Sequence, residues 1–114
     1  MENHFVKVTD TKSIEELADR SKDRPVVIFK HSLTCAISAT AYDQMAEFEG
    51  EVTLVEVQHA RALSEAIEHR LGVAHESPQV IVLRNGEVVW KASHFRITAA
   101  AVAEAVRAAA DSGQ

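Results

Sequence analysis

The chain holds a single cysteine, Cys35, among its 114 residues. That excludes an intramolecular disulfide, and with it both a secreted disulfide scaffold and a Cys-x-x-Cys dithiol exchanger built from this chain alone. Four Gly and two Pro are too few for a collagen-like, repetitive or low-complexity chain. No apolar run approaches the roughly 20 residues that span a bilayer, and Met1-Glu2-Asn3-His4 lacks the basic-then-apolar pattern of a secretory signal. A cytoplasmic location without a membrane partner is expected. Positive charge is also short, with 12 Lys and Arg against 17 Asp and Glu and a net charge of −5. No nucleic-acid partner is therefore expected, because affinity for a phosphate backbone rests on clustered Lys and Arg. Gly-rich phosphate loops, paired catalytic carboxylates and Ser-His-Asp patterns are absent as well.

What is present reads as one domain over residues 1–114, with 46% hydrophobic and 25% charged residues, the composition of an ordinary globular chain. A short β-rich opening at His4–Val8 leads to Ser13-Ile14-Glu15-Glu16. This is a capping-box pattern, with Ser13 at N-cap and Glu16 at N3 of a helix from about Ile14 to Ser21. After Pro25, the continuous apolar run Val26-Val27-Ile28-Phe29 reads as a central strand covered on both faces. The polar stretch Lys30 to Thr34 precedes a helix from Cys35 to Glu49, with Ile37, Ala41, Met45 and Phe48 at helical spacing and Gly50 closing it. Val52–Val57 reads as a strand, and Ala62–Leu71 as a helix stopped by Gly72. Val80–Leu83 and Val88–Trp90 flank Asn85-Gly86, a type I′ hairpin signal. Thr98 caps the last helix, Ile97 staples onto Val102, and Val102, Ala105, Val106 and Ala109 form the buried face. Asp111–Gln114 are expected to fray.

The order β-α-β-α-β-α-β-β-α predicts an α/β fold with a mixed central sheet and helices on both faces. The thioredoxin-like fold, with sheet order β1-β3-β2-β4-β5, has two checkable marks. One is a cysteine at the start of the helix after the central strand, and the other is a proline just before the hairpin. Cys35 and Pro78 occupy these places.

A free thiol with a pKa near 8.5 is only about 3% thiolate at pH 7, so a nucleophilic Cys35 needs a lowered pKa. A helix N-terminus supplies one through unpaired backbone N–H groups and the positive end of the dipole. The polar flank Lys30, His31, Thr34 and Ser38 is expected to stabilise the thiolate further, with Ser38 one turn along and able to donate its hydroxyl proton where a dithiol protein has its second cysteine. A cis Ser77–Pro78 bond would turn the Ser77 backbone toward the sulfur, making Ser77 and Pro78 an edge on which substrate forms β-type hydrogen bonds.

Phe29-Lys30-His31-Ser32-Leu33-Thr34-Cys35-Ala36-Ile37-Ser38, followed by His75-Glu76-Ser77-Pro78-Gln79-Val80, resembles the bacterial bacillithiol-system family YtxJ, the monothiol bacilliredoxins with a Thr-Cys-Pro/Ala-Ile-Ser motif. The resemblance spans nearly the whole chain. It implies a thioredoxin fold, Cys35 as the reactive cysteine and Pro78 as the cis-proline. It also implies an oxidoreductase that removes bacillithiol from mixed disulfides on cytoplasmic proteins. Bacillithiol would then be a thiol co-substrate, with no cofactor bound. With no internal resolving cysteine, release falls to free bacillithiol or another redox protein such as a flavin-dependent disulfide reductase.

Three other readings of the same residues remain open. Cys35, His31, His59 and His75 are metal-ligating types but lack paired spacing, and no metal site is expected; His59, His69 and His94 read as solvated. Two subunits could each lend a cysteine to a bridging iron–sulfur cluster, as in monothiol glutaredoxins. Alternatively, a redox-inactive binding module could read peptides along the Pro78 edge with Cys35 inert.

Overall fold

The computed structural model describes residues 4–112. In chain order these form β1 (Phe5–Lys7), α1 (Ser13–Arg20), β2 (Val26–His31), α2 (Ala36–Glu47), β3 (Val52–Glu56), α3 (Arg61–Leu71), β4 (Gln79–Arg84), β5 (Glu87–Ser93) and, after a 3-10 turn at His94–Arg96, α4 (Ala99–Ser112). The strands lie in the order β1-β3-β2-β4-β5. β1, β3 and β2 run parallel, while β4 is antiparallel to both β2 and β5. The sheet order and the alternation of helices are those of the thioredoxin fold.

β2 and β4 are buried along their full lengths, because each has strand neighbours on both sides and helices on both faces. Their side chains alternate between two cores. Val27, Phe29, Val80 and Val82 join Met45 of α2 and Val102 of α4, while Val26, Ile28, Ile81 and Leu83 join Leu17 of α1 and Ile67 of α3. β5 is an edge strand, and a bulge shifts its register between Val82↔Trp90 and Leu83↔Val88. The extra residue, Val89, is turned out to solvent. Asn85 and Gly86 both have positive φ, 58° and 77°, as the type I′ turn requires.

Several boundaries differ from those read in the sequence. Ser13 is the first residue of α1 and not its cap: the Asp10 carboxylate accepts the Lys12 amide at 2.9 Å and the Asp10 carbonyl accepts the Ser13 amide at 2.9 Å, so Asp10 organises this helix entry. α2 ends at Glu47 because Phe48 leaves the helix in an extended conformation and buries its ring in the core. A Cβ on Gly50 would lie 2.9 Å from that ring, so a close approach explains this glycine better than helix capping does. β2 includes Lys30 and His31, both buried, and β5 continues to Ser93 because its pairing with β4 continues to Gln79↔Ser93. α4 runs through Asp111 and Ser112, so these two residues are helical; the rest of the expected frayed tail, residues 113 and 114, lies outside the described residues. The Thr98 cap is present, its hydroxyl accepting the Ala101 amide at 3.1 Å, and the α2 residue Gln44 accepts the Ala99 amide at 2.9 Å. No helix among the described residues is long and apolar enough to cross a membrane.

Candidate active site

β2 delivers the chain to the carboxyl end of the sheet, where Ser32–Thr34 turn it into α2. Cys35 is the N-cap residue of α2, extended at φ −105° and ψ 125°, and its carbonyl accepts the Ala39 amide at 3.1 Å. The side chain is partly exposed. No side-chain cap bond satisfies the helix start, which leaves the Ile37 and Ser38 amides free to serve the ionised sulfur. The Cys35 pKa is lowered chiefly by the Ser38 amide; desolvation opposes this, and the Ile37 amide and Ser38 hydroxyl add to it. A helix start that stabilises a thiolate reachable from solvent is suited to nucleophilic attack on sulfur.

Ser38 is fully buried. Its hydroxyl oxygen accepts the Ser32 amide at 3.2 Å, and the hydroxyl is one of the groups that lower the Cys35 pKa. A serine hydroxyl has one proton and two lone pairs, so with Ser32 on a lone pair the proton is left for the sulfur. The Thr34 hydroxyl, grouped with these residues in the sequence reading, bonds away from the sulfur: it lies 3.5 Å from Ser32 Oγ and accepts from Gln58 Nε2 at 3.3 Å. Gln58, in the loop after β3, also donates to Ser32 Oγ at 2.9 Å and accepts the Leu33 amide at 3.0 Å. Nothing in the sequence marks Gln58. A lone glutamine more than 20 residues from its partners carries no spacing signal.

Lys30 and His31 are adjacent on β2 and therefore point to opposite faces of the sheet. His31 lies on the α2 side, with its ring centroid 5.4 Å from Phe29 and 5.1 Å from Tyr42. Burial holds its pKa below the usual 6.5, against the opposing pull of Glu56 and the Ser38 backbone, so its ring is mostly neutral at pH 7. Lys30 has no exposed surface. Its ammonium donates to the Ser64 carbonyl of α3 at 3.3 Å, and burial lowers its pKa to about 8 against the pull of Glu68. The lowering of the Cys35 pKa comes from Ser38 and Ile37. The expected charge support from the two upstream basic residues is thus not what the geometry provides, since one is neutral and the other faces away.

The Ser77–Pro78 bond is cis. Lys30 pairs with Gln79, so Pro78 follows beside the end of β2 nearest Cys35, and its carbonyl accepts the His94 amide at 3.1 Å. Four buried side-chain atoms among the described residues have no hydrogen-bond partner, and three of them gather at this end of the sheet: His31 Nδ1, Ser77 Oγ and Gln79 Oε1. A cleft of about 320 Å³ opens beside Cys35, lined by His31, Leu33, Cys35, Tyr42, Asp43 and Glu56. His59, His69 and His94 are exposed, with His59 paired to Glu56 at 3.1 Å. Among the described residues, no three His, Cys, Asp or Glu side chains are grouped to hold a metal.

A thioredoxin fold with one accessible cysteine heading the helix after the central strand defines a thiol-oxidoreductase class in its monothiol form. The chain belongs to the monothiol bacilliredoxin family BrxC, whose family model matches residues 6–102. It is similar, at 36% identity and a TM-score of 0.81, to a solved structure described as having a thioredoxin fold, over 90% of this chain and 93% of that one. Thioredoxins of Schistosoma mansoni and Fasciola hepatica share the fold at 15% identity. Their TM-scores are 0.69 and 0.70, over 94% and 90% of this chain and 99% and 97% of theirs.

Proposed function

We propose that this protein is a monothiol oxidoreductase that removes bacillithiol from mixed disulfides on cytoplasmic proteins. The observation that carries the reading is Cys35 at the α2 N-terminus, its thiolate served by two backbone amides and a serine hydroxyl, in a chain with no second cysteine. The Cys35 thiolate attacks the bacillithiol sulfur of a protein–bacillithiol disulfide. The new S–S bond joins Cys35 to bacillithiol, the old one breaks, and the target protein leaves as a thiolate that takes a proton from solvent. A second bacillithiol thiolate then attacks the bound bacillithiol sulfur, releasing Cys35 as thiolate and forming bacillithiol disulfide. That disulfide is the substrate of a separate reductase, for which flavin chemistry is suited. Ser77 and Pro78 form the edge against which the target peptide lies.

The test is mass spectrometry of the protein after exposure to bacillithiol disulfide and to a bacillithiolated model protein. One bacillithiol adduct on Cys35, reversed by free bacillithiol and absent from Cys35→Ser, is expected. An unmodified Cys35 beside an intact bacillithiolated substrate would overturn the reading.

A further inference from the structure

Gln58 lies outside the sequence motif, yet it holds the whole turn that presents Cys35. Its carboxamide bonds three consecutive residues: it accepts the Leu33 amide at 3.0 Å and donates to the hydroxyls of Ser32 at 2.9 Å and Thr34 at 3.3 Å. Both amide hydrogens and the carbonyl oxygen are thereby used. The bonds reach 24 to 26 residues along the sequence, so they join the β3–α3 connection to the β2–α2 connection. The bonds then run inward: the Gln58 Nε2 holds the Ser32 hydroxyl at 2.9 Å, and the Ser32 amide donates to Ser38 Oγ at 3.2 Å, one helical turn along α2 from Cys35, whose pKa the Ser38 hydroxyl helps to lower.

We propose that Gln58 is a positioning residue for Cys35: it fixes the Ser32–Thr34 turn and, through the Ser32 amide, aims the Ser38 hydroxyl at the sulfur. Without the carboxamide clamp, Ser32 is free to rotate its amide away from Ser38, and the hydroxyl can then turn toward other acceptors. This inference rests on Cys35 being the reactive group and is independent of which thiol it serves. The titratable groups lining the cleft, His31 of β2, Tyr42 and Asp43 of α2 and Glu56 of β3, are left in place by the substitutions below.

The experiment follows iodoacetamide alkylation of Cys35 against pH, together with the thermal midpoint, in the full chain. Gln58→Met keeps the length of the side chain and removes all three bonds. It should move the alkylation midpoint upward and slow reaction at pH 7 by about threefold or more. In a Ser38→Ala background the same substitution should change the midpoint much less, because the effect passes through Ser38. A Gln58→Met protein that melts lower but keeps the parental midpoint would overturn the proposal and leave Gln58 a merely structural tie. So would an upward shift of equal size with and without Ser38. If Gln58→Met does not fold, the pair Ser32→Ala with Thr34→Val removes the two hydroxyls that accept from the carboxamide and should move the midpoint the same way. An unmoved midpoint in that pair also overturns the proposal. Alkylation uses no bacillithiol, so a negative result here and a missing bacillithiol adduct are separate failures.

Discussion

The Ser38 hydroxyl accepts the Ser32 amide at 3.2 Å and helps to lower the pKa of Cys35, which ties the turn to the nucleophile. Ser38→Ala should raise the alkylation midpoint of Cys35 and slow alkylation at pH 7 severalfold, by about threefold to tenfold. The Ser38 and Ile37 amides remain, so part of the lowering should survive. Loss of the Ser32 partner should also cost about 1 kcal/mol of stability. A variant that alkylates at the parental rate across the pH range would show that the hydroxyl does not serve the thiolate.

Ser38→Cys places a second thiol one helical turn from Cys35, at a position with no exposed surface. The bacillithiol adduct on Cys35 should then be displaced from within, giving an internal disulfide and free bacillithiol without any added thiol. Mass spectrometry in the absence of free bacillithiol distinguishes the two proteins: the parent retains its adduct and the variant loses it. A stable adduct on the variant would mean that the position 38 side chain cannot reach the Cys35 sulfur.

His31 is 8% exposed, with a pKa lowered by burial from 6.5. Between its folded value and about 6.5, the unfolded chain binds the proton and the folded chain does not. This group's contribution to stability is therefore lost as pH falls below about 6.5 and is level above it. His31→Phe keeps the ring packing against Phe29 and Tyr42 and should flatten the stability curve between pH 7 and pH 5 in urea titrations. Its Cys35 alkylation midpoint should match the parent. A parental slope would show that His31 is not the titrating group, and a raised midpoint would show that its ring serves the sulfur.

The fold was legible because each of its marks is a local pattern. Val26–Phe29 has no polar face to expose, Asn85-Gly86 allows only a few turns, and Cys35 and Pro78 fall at two places that the sheet order brings to one end. The active end was legible at Cys35, at Ser38 one helical turn away, and at the cis Ser77–Pro78 bond. Lys30 and His31 read as a polar flank because composition does not show which residues a strand will bury. β2 runs two residues beyond the apolar run, Lys30 pairing with both β4 and β3 and His31 with β3, and the strand alternation then sends the two side chains to opposite faces. Gln58 was invisible for a different reason: its function lies in long-range bonds to a loop, and no spacing along the chain encodes them. The Ser13 capping box failed because the helix is entered earlier: Asp10 takes the Lys12 and Ser13 amides, which puts Ser13 inside the first turn.

Lys30 is a buried cation whose position on the face away from α2 makes it a test of what the sheet separates. Its pKa is lowered from 10.5 to about 8, chiefly by burial. Below pH 8 the folded protein carries the full cost of a buried ammonium. Between about 8 and 10.5 the unfolded chain still holds the proton while the folded chain has released it, so stability rises with pH across that window. Lys30→Met fills the same space without the charge. It should raise stability at pH 7, by no more than about 3 kcal/mol even if the whole shift were recovered, and should remove the rise between pH 8 and 10. Comparison of parent and variant in guanidinium titrations cancels the other groups that ionise there, including Cys35. The thiol should alkylate with an unchanged midpoint, because Ser38 and Ile37 hold its thiolate and Lys30 bonds α3 on the other face. A stabilised variant with an unchanged midpoint would separate the buried lysine from the sulfur. A raised midpoint would mean that its charge reaches Cys35 through the sheet.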